Sequence, residues 1–209
     1  MKNLILISSL LSFLFISTSV LHGQSDNNGT NSMKGVSLSL NPLGFLQFGP
    51  VVNLEVGLNH HVVLNGHIRF ASLGLLSKVV LYDEDDDIFP DHISGSGIGG
   101  GVLYFFGEKK NKPYLGGLFE LHNTVSTYDT DAMYKWESES NMVVIFVNGG
   151  YRFRFDSGFF INTGAYLGAA VGNEKWYYTN PAVSEYGTIN NNPSTFPFGM
   201  LELTLGMQF

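Results

Sequence analysis

Apolar residues recur at every second position in eight separate stretches of this chain. The last is the cleanest: Leu201, Leu203, Leu205, Met207 and Phe209 share one parity, while Glu202, Thr204, Gly206 and Gln208 take the other. A period of two is a strand lying between two different environments. At the other end, Val36, Leu38 and Leu40 alternate with Gly35, Ser37 and Ser39. A second strand over 47–59 sets Val52, Leu54, Val56 and Leu58 against Asn53, Glu55 and Gly57. A third over 62–70 sets Val62, Leu64, Ile68 and Phe70 against Asn65, His67 and Arg69. The fourth, 94–106, carries Ile98, Val102, Tyr104 and Phe106 on its apolar face. The fifth, 113–123, opposes Leu115, Phe119 and Leu121 to Tyr114, Glu120 and His122. In the sixth, 141–155, Val143, Ile145, Val147, Tyr151, Phe153 and Phe155 oppose Asn148, Arg152 and Arg154. In the seventh, 159–170, Phe159, Ile161, Ala165 and Leu167 oppose Asn162, Gly164 and Tyr166.

The connections alternate as well. Turns near 59, 109 and 157 are short, whereas 72–93, 124–140 and 171–195 read as long, polar, aromatic-rich loops; the connection at 41–46 is brief. Long–short alternation around an even number of strands predicts an all-β, eight-stranded antiparallel up-and-down transmembrane β-barrel over 34–209. The last strand should close it by pairing with 34–40.

Alternation does not say which face is outside. A secreted lipocalin-like barrel would turn the apolar face inward around a ligand. Lysine placement separates the two: Lys34, Lys78, Lys109, Lys110, Lys112, Lys135 and Lys175 all fall in predicted ends, turns or loops. A water-facing strand surface uses Lys freely to stay soluble and guard its edges. The polar face instead holds Gly, Ser, Asn and Tyr with charges of both signs, Glu55, Arg69, Glu120, Arg152, Arg154 and Glu202. That is the pattern of a narrow lumen in which charges pair, so the apolar face is assigned to lipid. Tyr104, Phe106, Tyr151, Phe153, Phe155, Phe159 and Phe209 then gather near the short-turn rim, as interfacial aromatics do.

Composition fits this picture. With 209 residues, 44% hydrophobic and 14% charged, the chain suits one barrel behind a leader. The net charge of −7 argues against nucleic acid, and the absence of Cys removes disulfides and thiolate chemistry. A basic start at Lys2, an apolar run over 4–20 and small residues to Gly23 form a secretory signal pattern over 1–23. The polar segment 24–33 reads as a disordered lead-in.

Few motifs survive scrutiny. The G-x-G-x-x-G match at 95–100 follows a loop and opens a strand, so it lacks the strand-then-helix setting of a phosphate loop. Asp83, Glu84, Asp85, Asp86, Asp87 and Asp91 form an acidic loop without the glycine and distal glutamate of an EF-hand; it is read as a solvated segment. His60, His61, His67 and His122 show no metal-ligand spacing, and no G-x-S-x-G elbow occurs. No cofactor, metal or catalytic residue is expected. Glu55, Arg69, Glu120, Arg152, Arg154 and Glu202 are expected to form an ion-paired plug fixing barrel register, since eight strands enclose an interior that side chains fill.

The stretches Asn41-Pro42-Leu43-Gly44, Gly149-Gly150-Tyr151-Arg152-Phe153, Gly158-Phe159-Phe160 and 203–209 resemble small eight-stranded outer-membrane barrels of the OmpA-transmembrane and OmpX type. The chain looks most like the outer membrane protein beta-barrel domain group of Bacteroidetes-like bacteria. The resemblance implies a place in the bacterial outer membrane, contact with its lipid and lipopolysaccharide, and insertion by the barrel assembly machinery. It implies that Leu203, Leu205, Met207 and Phe209 carry an assembly signal ending in the aromatic residue. It also implies a structural or surface-interaction role through external loops; Trp136, Trp176, Tyr177 and Tyr178, in the stretches read as loops, are suitable contact residues. A small-solute conduit or a lipid-acting enzyme is the alternative.

Overall fold

The computed structural model describes residues 33–72, 74, 90–131, 134–180 and 185–209. The predicted signal pattern, most of the lead-in and positions 83–87 of the acidic stretch lie outside the described residues. Eight strands run in chain order: β1 Gly35–Asn41, β2 Val51–Gly57, β3 Val62–Ser72, β4 His92–Phe105, β5 Lys112–Asp131, β6 Tyr134–Arg154, β7 Phe159–Asn180 and β8 Glu185–Gln208. Each pairs antiparallel with the next, and the sheet closes into a barrel where β1 meets β8. Closure runs from Ser37↔Gln208 to Leu40↔Leu205, inside the predicted pairing. An up-and-down barrel leaves no free edge where the ring is complete, which is the physical reason for closing it.

The turns at one end are short because their side chains complete them. Asn59 Oδ1 accepts from the backbone N–H groups of His61 and Val62, both at 2.8 Å, folding the chain from β2 into β3. Between β6 and β7, Gly158 adopts φ +85° and its N–H donates to the Phe155 carbonyl at 3.2 Å. A left-handed residue after a tight turn is what a three-residue hairpin demands, and glycine takes it without a Cβ clash.

The other end departs from the predicted layout in three ways. Residues 124–140 and 171–195 are not long loops. Their described residues, 124–131, 134–140, 171–180 and 185–195, continue the ladder, so β5, β6, β7 and β8 reach 20, 21, 22 and 24 residues. Register holds from Lys112↔Arg152 to Tyr128↔Trp136 and from Lys135↔Thr179 to Arg154↔Phe160. The apolar alternation fades there because the outward positions become polar, although strand pairing does not end. Finally, the second strand starts at Val51 rather than near 47, because Pro42–Leu46 forms a 3-10 turn. Asn41 caps that turn by accepting from the Leu43 N–H at 3.1 Å. Gln47 then grips β8 beyond the end of β1, its amide accepting from the Leu201 N–H at 2.8 Å and donating to the Leu201 carbonyl at 3.3 Å.

Burial divides the two faces. Leu54, Ile98, Leu121, Val143, Ile145, Leu167 and Leu201 point outward and stand exposed, Ile145 at 62%. Ser37, Ser39, Asn53, Glu55, Asn65, His67, Arg69, Glu120, Asn148, Arg152, Asn162, Glu202 and Thr204 are buried inside. The inside is not wholly polar, however. Val63, Leu103, Phe105, Leu118, Val144 and Phe146 also turn inward and join an apolar cluster with Tyr114 and Ala170. These come from runs such as Val143-Val144-Ile145-Phe146-Val147, where both parities are apolar and alternation carries no inward signal.

The apolar outer belt has a definite upper limit. On β5, β6 and β7 the outward positions change from Leu121, Val143 and Val171 to Asn123, Asn141 and Asn173, which pair across the sheet. Above them stand Glu137, Glu139 and Lys175. At the opposite rim Tyr104, Phe106, Tyr151, Phe153, Phe155, Phe159 and Phe209 all face outward. They pack in pairs: Tyr104 with Phe106 at 5.0 Å between ring centres, Tyr151 with Phe153 at 4.8 Å, and Phe155 with Phe159 at 5.5 Å.

Candidate functional site

Two buried carboxylate centres fill the lumen. The first is Glu120, fully buried on β5. Arg69 on β3 donates through Nε to both of its oxygens, at 2.9 and 3.0 Å, and His67 Nε2 lies 3.1 Å from Oε2. His122 Nδ1 approaches Oε1 at 3.8 Å. Period-two spacing brings His67 and Arg69 to one face of β3, and Glu120 and His122 to one face of β5. On β4, between those two strands, position 97 is glycine by necessity, because a Cβ there would overlap the Glu120 carboxylate. The network then runs across the barrel floor: His67 Nδ1 faces Asn65 Oδ1 at 3.2 Å, and Asn65 donates to Asn53 at 3.4 Å.

The second centre lies toward the short-turn end. Arg152 Nη2 donates to Glu55 Oε1 at 2.8 Å, and its Nε donates to Asn162 Oδ1 at 2.7 Å. The guanidinium carbon sits 4.7 Å from the Phe105 ring centre and 4.1 Å from that of Phe160, so the cation lies between two aromatic faces. Glu202 was expected to pair with a lumen arginine, and it does not do so directly. It accepts instead from Tyr114 Oη, Asn148 Nδ2 at 2.8 Å, Asn162 Nδ2 at 3.3 Å and Thr204 Oγ1 at 2.9 Å. Asn162 therefore bridges Arg152 to Glu202. Neutral donors can hold a buried carboxylate when there are enough of them, and here there are four.

Two further placements differ from expectation. Arg154 stands further out, half-buried at the short-turn rim, with Nη1 3.7 Å from the Met33 thioether. Lys112, read as a turn lysine, points inward, buried, and donates to the His60 carbonyl at 3.2 Å. At the exposed turn beyond, the Lys110 ammonium donates to Asp156 and holds that carboxyl below its ordinary range. The roles of Tyr114, Asn148, Asn162 and His67 were not legible beforehand. Parity alone placed them on the lumen face, and their carboxylate partners sit on strands distant in sequence.

Packing leaves little free space between the centres. The gap beside Glu55, Asn148 and Glu202 and the gap beside His67, Arg69 and Met200 hold about 10 Å³ each, room for at most one water. Above them, at the long-strand end, a larger cavity of about 370 Å³ opens. His122, Tyr128, Ser140, Glu174 and Phe198 help to line it. Higher still, the inner face carries rings in contact, Tyr128 with Trp176 at 5.0 Å and Trp136 with Tyr178 at 5.7 Å. Burial pushes the Tyr128 phenol up from its ordinary pKa, so it stays a neutral donor. Tyr177 faces outward and donates to Glu139 at 3.1 Å. Asp91, the described part of the acidic stretch, donates its backbone N–H to the Thr127 carbonyl at 2.9 Å. Residues 95–100 lie within β4, so the glycine motif is strand wall. Among the described residues no cluster of His, Cys, Asp or Glu is arranged to hold a metal ion.

Compared with known protein families, curated proteins and solved structures, the chain matches none.

Proposed function

We propose that this chain is an integral bacterial outer-membrane β-barrel with a closed lumen, acting in surface interaction through the hairpins at its long-strand end. The observation that carries this reading is the inversion of the usual soluble arrangement. Exposed aliphatic side chains form the outside, and paired charges and amides fill the inside. In water such an exterior would be a large aggregation-prone patch; in a bilayer it is the matched surface.

The dimensions support it. On β6 the outward positions are free of charge from Val143 to Phe153. Those ten steps span about 33 Å along the strand, or about 25 Å normal to a bilayer at the tilt of small barrels. A membrane strand needs about 9–11 residues, so roughly half of β5 to β8 stands beyond it. The aromatic rim then sits at the inner interface and the Asn123, Asn141 and Asn173 level at the outer one. Outer-membrane lipid and lipopolysaccharide are the proposed partners of the belt, and the barrel assembly machinery the partner during insertion. The proposed role is recognition rather than catalysis or conduction.

The test is fractionation of a Gram-negative host expressing the full chain, with electrophoresis of boiled and unboiled samples. The protein should co-sediment with outer membranes, resist carbonate extraction, and migrate differently before and after heating. Recovery as a soluble periplasmic protein with heat-independent mobility would overturn the reading.

A further inference from the structure

We propose that the cavity at the long-strand mouth binds a small amphipathic primary ammonium, a charged amine on an apolar body. At about 370 Å³ it falls within the size range of small-molecule sites. Val144, Ala170 and Phe198 give it an apolar side, continuous with the buried apolar cluster. An apolar body of one ring or a short chain matches that surface.

Polarity sets the charge of the ligand. Glu174 is the carboxylate among the described lining residues, and no lysine or arginine is among them. Ser140 Oγ donates to Glu174 Oε1 at 3.4 Å, which orients the carboxylate and leaves Oε2 for a ligand. Arg69, the nearest strong cation below, is already neutralised by Glu120. The second polar feature is His122. Its Nδ1 lies 3.8 Å from Glu120 Oε1, longer than a hydrogen bond, and the charge of that carboxylate favours the proton on this edge with the lone pair on Nε2. That Nε2 is buried without a hydrogen-bond partner. A buried acceptor without a donor is an unmet requirement, and a ligand N–H would meet it once the His122 ring turns toward the cavity it lines. Two acceptors beside an apolar surface, with the Tyr128 and Phe198 rings in the same lining, suit an ammonium group. A carboxylate ligand would meet Glu174 repulsively, and a neutral hydrocarbon would leave both acceptors unsatisfied.

The inference deepens the recognition role proposed above and rests on the mouth being its ligand-facing end. The two tryptophans are built-in reporters, since Trp176 packs on the Tyr128 ring of the cavity wall. The full chain, folded in maltoside micelles, would be titrated with phenethylammonium, 2-phenylethanol and 3-phenylpropionate while tryptophan emission is followed. The ammonium should bind saturably, about tenfold or more tighter than the neutral alcohol, with the carboxylate weakest. Glu174→Gln should erase the preference for the cation while retaining heat-modifiable mobility. Equal affinity for the three probes, no saturable signal, or an unchanged preference in Glu174→Gln would overturn the proposal. The wild-type comparison decides even if the variant does not fold. Heat-modifiable mobility of the same sample reads the barrel proposal separately, so either can fail without the other.

Discussion

Removing the Arg152 guanidinium is the sharpest test of how the lumen is held together. Arg152 is 1% exposed and makes two charge-assisted bonds, to Glu55 at 2.8 Å and Asn162 at 2.7 Å, between the rings of Phe105 and Phe160. Arg152→Ala leaves the Glu55 carboxylate buried without its counter-ion and removes the donor that orients Asn162 toward Glu202. Breaking one side of such a buried pair costs about 3–5 kcal/mol, most of it the penalty of the stranded charge. For a chain of this size that corresponds to a fall of roughly 6–20 °C in Tm. Replacing both partners, Glu55→Gln with Arg152→Met, should recover much of the loss, because no unpaired charge remains. The assay is urea unfolding in micelles followed by tryptophan emission, with heat-modifiable mobility as an independent readout. A loss below about 1 kcal/mol for Arg152→Ala, or a double variant as damaged as the sum of the singles, would show that the pair is hydrated and not a structural plug.

Three further outcomes follow from the same geometry. Gly97→Ala drives a methyl into the Glu120 carboxylate, which has nowhere to move, and should cost about 1–3 kcal/mol in the same unfolding assay; Gly117→Ala, where a Cβ meets nothing within 4 Å, should fall within about 0.5 kcal/mol of wild type. Ile145→Arg places a charge in the middle of the outer belt and should cost about 2–4 kcal/mol in lipid, whereas Val125→Arg, above the asparagine level, should cost about 1 kcal/mol or less; equal effects would count against a membrane exterior. Planar bilayers containing the purified protein should show no steady conductance, because the gaps around Glu55 and Arg69 hold about one water each; a persistent open level would refute the closed lumen.

Much of this molecule was legible in one dimension. Alternation at 201–209 and in the other seven stretches determined the strand count, which side chains share a face and the closing pair, because a strand's period of two is a property of the backbone. The same parity put Glu55, Arg69, Glu120, Arg152 and Glu202 on a common inner face. Alternation could not set where the strands end. The stretches 124–140 and 171–195 look like loops because their outward positions are polar, yet the backbones of 124–128, 135–140, 171–180 and 185–189 stay paired. Nor could it choose partners. Glu202 takes its donors from Thr204 on its own strand, Asn162 on the next, and Asn148 and Tyr114 further round the barrel, up to 88 residues away, while Glu120 takes Arg69 and His67 from β3. Pairing across a closed barrel depends on stagger, tilt and side-chain length together, and these exist only once the ring is shut. The mouth cavity is likewise a product of that closure, formed where the polar network ends and the long strands continue.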